Sequence, residues 1–335
     1  MYLGVILNPL ARKNRKVPPE AYARVERLVG AHGEVVRTDS LAALRPAVER
    51  MLPKVTHFVS DGGDGALHWL INEVRNVAGS DASARDWPTF IPTNGGTIDF
   101  VAHKAGVRGR TEAIVSALVD AAAAGASVPE VSLDSLHLKG VHQDGAAFDR
   151  VGFALAAGGV GLRFFDKYYE DPAPSPMTIV RIISRTVADL ARDRVGRPSR
   201  ASYAAHLFRP TYAKVVIDGE ELTARRHGGI HAGAFDVNLG GVIRVFPLAA
   251  ERGVLHFQAG EISPLNMVRS LPALARGGAI RAPDFRDVAG RCMEIDADPG
   301  EQLDPVIDGE RFERLRRLEV RPGPEVRVAC ISASA

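Results

Sequence analysis

Ser60-Asp61-Gly62-Gly63-Asp64-Gly65 places two carboxylates among three glycines, between an apolar β-branched run and residues at helical spacing. Glycine lets a backbone turn sharply and approach a ligand with no Cβ in the way. The amides that open the following helix carry the positive end of its dipole, which suits a phosphate. An acid inside such a loop suits phosphate only where a cation or a proton transfer intervenes. Asp64 is therefore a candidate general base or magnesium-associated acid, and Asp61 a turn cap. The plainer alternative is a tight strand-to-helix turn with a capping aspartate. A second glycine turn, Pro92-Thr93-Asn94-Gly95-Gly96-Thr97-Ile98-Asp99-Phe100, follows the next strand, with Thr97 placed as the helix cap. Either turn alone is an ordinary helix start, whereas two at one sheet edge can enclose the phosphates of a nucleotide.

The elements that must hold these turns follow from periodicity. Residues 2–7, 34–37, 56–60 and 89–91 read as strands, and 19–29, 41–51, 66–77 and 111–124 carry apolar residues at helical spacing. That alternation implies a parallel sheet covered by helices, with ligands beyond the carboxyl ends of its strands. After Pro129 the texture changes to short strand runs at 131–138, 147–156, 212–217, 229–235, 242–246, 254–259 and 291–295, which suggest a β-sandwich or barrel. Helical stretches at 177–193 and 265–275 interrupt them, and the three prolines of 171–176 read as a mobile loop. The expected division is an α/β domain over 1–129 and a β-sandwich domain over 130–335, its C-terminal segment free to pack back on the first.

Composition bounds the function. Lys+Arg 42 against Asp+Glu 40 gives no basic surplus for nucleic acid, and two cysteines, Cys292 and Cys330, make no disulfide framework or zinc pair. A reducing, cytoplasmic setting is expected. The apolar start precedes its basic residues Arg12, Lys13, Arg15 and Lys16, the reverse of a secretory signal. No run reaches the roughly 18 apolar residues of a membrane span, and 151–162 reads as a buried strand. Any membrane contact is expected to be peripheral. Two features bear on it: the basic cluster at 12–16, which at the ligand edge of the sheet could equally attract nucleotide phosphates, and the amphipathic stretch 177–193, whose Arg181, Arg185 and Arg192 are extended by Arg194, Arg197 and Arg200. The bland readings are a solvated loop and a helix packed on the sandwich. His227 and His231 lie four apart, but two intervening glycines favour a strand on which they do not converge on a metal. Gly-Lys-[Ser/Thr], His-Glu-x-x-His and Gly-x-Ser-x-Gly are absent from the sequence.

Asn8-Pro9, Gly62-Gly63-Asp64-Gly65, Pro92 to Asp99, residues 240–253 and Asp308-Gly309-Glu310, in that order, resemble the diacylglycerol kinase catalytic family, which includes sphingosine, ceramide and bacterial lipid kinases and is related to NAD kinases. The resemblance spans nearly the whole chain. It implies an N-terminal Rossmann-like parallel α/β domain, a C-terminal β-sandwich and transfer of the γ-phosphoryl of ATP, with Mg2+, to a lipid hydroxyl. It implies that Asn8, Thr38, Gly62, Gly63, Asp64, Gly65, Gly96 and Thr97 surround the nucleotide and that Asp308 and Glu310 come from the second domain. Asp308 is favoured as the base, with Asp64 the other acid; the metal ligands stay unassigned. The implied partners are ATP, a lipid alcohol and the inner membrane face, with a homodimer left open. Three departures stand out: Ala66 where the family has threonine, Asp99 where it has asparagine, and Glu251-Arg252-Gly253 where it has an acidic, magnesium-supporting turn. Two alternatives remain: a catalytically impaired nucleotide- or lipid-binding homologue, and a kinase of a soluble substrate such as NAD.

Overall fold

A computed structural model describes residues 1–79, 83–195, 202–239 and 241–333, without the side chains of 193–195. The chain forms two compact units, Met1–Leu133 with Glu325–Ala335, and Asp134–Pro324.

The first unit alternates β1 (Leu3–Leu7), α1 (Pro19–Val29), β2 (Gly33–Arg37), α2 (Leu41–Met51), β3 (His57–Asp61), α3 (Asp64–Ala78), β4 (Thr89–Pro92), α4 (Phe100–Lys104), α5 (Thr111–Ala123) and β5 (Glu130–Leu133). Strands β1 to β4 run parallel in the order β2-β1-β3-β4, and the strand Val326–Ala329 adds parallel to β4 and antiparallel to β5. Every residue of β1 and β4 is buried, as a parallel strand covered on both faces requires. The boundary expected after residue 129 therefore moves. β5 still belongs to this sheet, and the chain returns to it at residues 326–329.

The second unit is built of antiparallel sheets. Its elements are β6 (Leu136–His142), β7 (Ala147–Gly152), β8 (Ala154–Gly158), α6 (Gly159–Tyr169), α7 (Pro176–Val195), α8 (Tyr203–Leu207), β9 (Thr211–Ile217), β10 (Glu220–Glu221), β11 (Arg226–His227), β12 (Gly229–Gly233), β13 (Val237–Leu239), β14 (Ile243–Val245), β15 (Leu255–Gly260), α9 (Pro264–Leu274), β16 (Phe285–Gly290), β17 (Met293–Ala297), β18 (Val306–Ile307), β19 (Glu310–Arg311) and β20 (Leu315–Pro322). One sheet runs β10-β9-β17-β20-β6-β7 and another β16-β15-β12-β8-β18-β19. β9 alternates buried and open positions, while β12 and β15 are buried throughout, with α6 packed on β8 and β12. This is the α/β-plus-β architecture that the residue patterns implied.

Four of the expected segments come out differently. Residues 131–138 are not one strand but the end of β5 and the start of β6, which lie in different sheets. Residues 147–156 break at Phe153 into β7 and β8. The run 151–162 is strand only to Gly158; α6 begins at Gly159, whose φ is +63° and whose missing Cβ would lie 2.2 Å from the Gly228 carbonyl carbon. The 171–176 segment, read as mobile, is tied to α7: the Asp171 carboxylate accepts from the Thr178 hydroxyl (2.7 Å), the Ala173 amide (2.9 Å) and Arg181 (3.2 Å). Arg197, Arg200 and Gly240, along with the side chain of Arg194, lie outside the described residues.

Candidate functional site

Register puts the three relevant strand ends abreast. Leu7 pairs with Asp61 across β1 and β3, and Ser60 with Pro92 across β3 and β4. The loops that leave these ends are bound to one another. Asn8 N donates to Asp61 O (3.2 Å), Gly95 N to Gly62 O (3.1 Å) and Lys13 N to Gly95 O (3.1 Å). Thr38, just past β2, directs its amide to the Leu7 carbonyl at 2.9 Å. Asn8, Thr38, Gly62 to Gly65, Gly96 and Thr97 thus sit on one edge of one sheet.

The glycines of the two turns meet each other. A Cβ on Gly63 would lie 2.7 Å from Gly96 Cα, and one on Gly96 would lie 2.5 Å from Gly63 Cα. The turns are therefore zipped backbone to backbone, not spread as the two walls of a phosphate slot, and at these positions glycine is a packing requirement. The donors left for an anion are those of α3. Its N-cap Gly63 supplies no side-chain cap, and the first amides of any helix have no acceptor within it. Asp64 stands in that first turn, half-buried. Its two oxygens accept from the amides of Phe100 (3.1 Å) and Val101 (3.0 Å), so Asp64 caps α4. Thr97, expected to be that cap, instead accepts from Arg12 Nη1 at 3.3 Å, and the N-cap residue is Asp99 at φ +53°.

Two buried carboxylates brace the edge. Asp61, 2% exposed, accepts from the Thr111 hydroxyl (2.6 Å), Asn14 Nδ2 (2.9 Å) and the Thr93 hydroxyl (3.2 Å). Burial pushes its pKa above the usual carboxylate range, and these three donors pull it back. Asp61 is thus the hub that joins the loop after β1, the start of α5 and the turn after β4. Asp99, also 2% exposed, accepts from Gly96 N (2.8 Å) and pairs with Lys13 Nζ (2.8 Å), which also donates to Asn94 O (2.7 Å). Burial raises Asp99, with Lys13 opposing it. Sequence reading singled out Asp99 as a departure but missed Lys13. No spacing links the two: only the packing of the loop after β1 brings Lys13 to Asp99.

In the second unit, Asp308-Gly309 is the two-residue turn between β18 and β19, with Ile307 opposite Glu310 and φ of +52° and +90°. Positive φ at both central positions is the type I′ hairpin that Asp-Gly favours. The Asp308 carboxylate, 4% exposed, turns onto the break between β7 and β8 and accepts from the amides of Phe153 (2.9 Å) and Ala154 (2.9 Å). The same unit repeats this arrangement. Asp218-Gly219 turns between β9 and β10 at φ of +48° and +85°, and the Asp218 carboxylate accepts from Arg291 N (3.0 Å) and Cys292 N (2.7 Å). Asp218 therefore measures what such a turn does for structure alone. Tyr169, at the end of α6, donates its hydroxyl to the Gly309 carbonyl at 2.9 Å. Glu310 opens β19, half-buried.

The donor sets differ in what they fit. The uncapped start of α3, with Asn8 near Gly62, fits a phosphate. The turn Glu251-Arg252-Gly253 does not fit a divalent cation held by the protein: Glu251 is exposed beside a guanidinium, and the nearby carboxylate Asp134 accepts from Gly253 N at 3.0 Å. Among the described residues, no group of three or more His, Cys, Asp or Glu is placed to hold a metal. His227 and His231 lie on different strands. His227 Nε2 pairs with Ala213 O (3.0 Å), and His231 lies buried under Gly161.

No protein-family model matches the chain, and no curated protein does. Solved structures do. A diacylglycerol kinase from Bacillus anthracis str. Sterne superposes with a TM-score of 0.56 at 12% identity, covering 98% of this chain and 96% of that one. A second structure from that organism, provisionally assigned to the same enzyme class, gives a TM-score of 0.62 at 14% identity over the same shares. The chain has the fold of these diacylglycerol kinase structures along nearly its entire length.

Proposed function

We propose that the protein is an ATP-dependent kinase whose acceptor is the hydroxyl of a diacylglycerol-like or sphingoid lipid. The observation that supports this most is the start of α3. A 15-residue helix opens without a side-chain cap at the carboxyl edge of a parallel sheet, where nucleotide phosphates bind on such sheets. The shared fold with diacylglycerol kinase structures favours this reaction class.

In this reading the phosphates of ATP lie on the amides of Asp64, Gly65 and Ala66, flanked by Asn8, Thr38, Gly96 and Thr97. Magnesium, where present, would neutralise phosphate charge; among the described residues no cluster of acids or histidines is placed to hold it. Asp308 is the proposed base for the acceptor hydroxyl and Glu310 its neighbour at the site, while Asp64 holds α4 against α3. The attacking oxygen bonds to the γ-phosphorus as the bond to the β–γ bridging oxygen breaks. The hydroxyl proton passes to the carboxylate, and ADP leaves.

A second reading, a nucleotide- or lipid-binding module without transfer, is favoured by Arg252 and by the structural double of Asp308 at Asp218. Radiolabelled γ-phosphoryl ATP, presented with vesicles carrying diacylglycerol, sphingosine or ceramide and separately with NAD, tests the assignment. Label in one lipid supports it. Label in NAD alone overturns the acceptor, and label in none, with ATP bound, leaves the binding module.

A further inference from the structure

Helix α7 exposes an apolar stripe that the fold does not cover. Its inner face, with Thr178, Ile179, Ile182 and Thr186, is buried, whereas Met177, Val180 and Val187 are 63%, 41% and 37% exposed. At 100° per residue these three, with Ser184 and Ala191, span a stripe about 80° wide. Arg181, Arg185 and Arg192 follow along one border of it. Every exposed position of the helix from Met177 to Arg192 is apolar, small or arginine, and none is acidic.

The arginines hold local partners. Arg181 reaches Asp171 (3.2 Å), Arg192 reaches Asp189 (3.3 Å), and the Arg185 guanidinium stands 4.3 Å from the Tyr203 ring centroid. Exposed pairs of this kind contribute little and exchange readily for another anion. At the start of the helix, Tyr169 of α6 is 49% exposed, its hydroxyl on the Gly309 carbonyl of the Asp308 turn. Among the described residues no helix is long and apolar enough to cross a bilayer.

We infer that the exposed face of α7 is a docking surface for an anionic lipid bilayer, lying in the headgroup plane with Met177, Val180 and Val187 inserted and the arginine border on lipid phosphates. Charge complementarity selects this occupant. A second copy of the same face would set arginine border against arginine border, its carboxylates Asp171 and Asp189 already engaged by their own arginines, whereas an anionic leaflet offers phosphates along the whole border while accepting the stripe. The choice of a lipid rests on the kinase reading, and docking by this face would bring the Asp308 turn toward a membrane-borne acceptor through the Tyr169 contact.

The test is co-sedimentation of the full chain, without ATP or substrate lipid, with vesicles of phosphatidylcholine alone and of phosphatidylcholine with equimolar phosphatidylglycerol. Wild type is expected on the mixed vesicles and to be released by salt. Val180→Glu with Val187→Glu should weaken binding about tenfold or more. Arg181→Gln with Arg185→Gln and Arg192→Gln should weaken it about a hundredfold, with thermal unfolding unchanged in both variants. Unaltered binding in both, or no binding by wild type, overturns the proposal. So does a dimer, seen by sedimentation velocity, that the valine variant dissociates. Because no acceptor is present, failure here leaves the transfer assay untouched, and failure of transfer leaves this result standing.

Discussion

Single residues at this site serve two masters, so each test needs a readout that separates them. Asp308→Asn and Asp218→Asn each remove a carboxylate that holds two amides at an Asp-Gly turn, the first buried and the second exposed. Asp308→Asn should lose about 2 kcal/mol of unfolding free energy, the scale of hydrogen bonds to a charged acceptor, and Asp218→Asn less, because water competes for its amides. Only Asp308→Asn should also lower label transfer, by about a hundredfold or more, with ATP affinity kept. Equal transfer by the two variants would make Asp308 a turn residue and nothing else. The Lys13–Asp99 pair gives a second test. Lys13→Met leaves a buried carboxylate without its cation and should cost about 2 kcal/mol, less than in a fully buried pair because Lys13 is half in water. Adding Asp99→Asn should recover most of that loss, since a neutral amide needs no counter-ion. Denaturant unfolding of the four proteins in the cycle measures the coupling.

At the scale of elements, the zipped glycine turns make a steric prediction. Gly63 has φ of −98°, which any residue adopts, so Gly63→Ala is opposed only by the Gly96 backbone 2.7 Å from the new Cβ. It should cost about 1–3 kcal/mol and weaken ATP binding as the turns part, whereas Gly145→Ala, at a turn with φ of +89° and open space around it, should leave ATP binding alone. Titration calorimetry on both variants checks this. The first unit was legible because each of its strands and helices declares its own period, and its glycine turns stand where the period changes from two to 3.6. The second unit was not. β16 and β20, like the strand Val326–Ala329 by which the chain returns to the first unit, escaped notice, because outward arginines, aspartates and glutamates hide a half-buried alternation in sequences such as Leu315-Arg316-Arg317-Leu318-Glu319-Val320. The break at Phe153 was illegible for a different reason: the group that receives the freed amides, Asp308, lies 155 residues along the chain. In the site, the glycines and Asp64 could be read from spacing. Lys13, Asn14 and Thr111 could not, since only the loop packing brings them to Asp99 and Asp61.

At the scale of the whole molecule, stability should depend on acid through a buried histidine. His231 on β12 faces Gln258 on β15, next to Asp287 on β16 and His256. Burial lowers its pKa from 6.5 to about 4, with Gln258 and Asp287 only partly opposing it. Between those values the unfolded chain binds a proton that the native state refuses. Stability is therefore full above about pH 6.5 and falls toward pH 4, by up to about 3 kcal/mol from this group. His57 and His227, also lowered by burial, act in the same direction. Asp61 and Asp99, raised by burial, act in the opposite one and do not contribute to the acid-side loss. His231→Asn, which cannot titrate, should flatten the melting temperature over that window, and an unchanged slope would place the proton elsewhere.

The account as a whole turns on where a triphosphate sits. A crystal structure with a non-hydrolysable ATP analogue should put phosphate oxygens within hydrogen-bond distance of the amides of Asp64, Gly65 and Ala66 at the start of α3. Phosphates bound at any other place on the chain would contradict it.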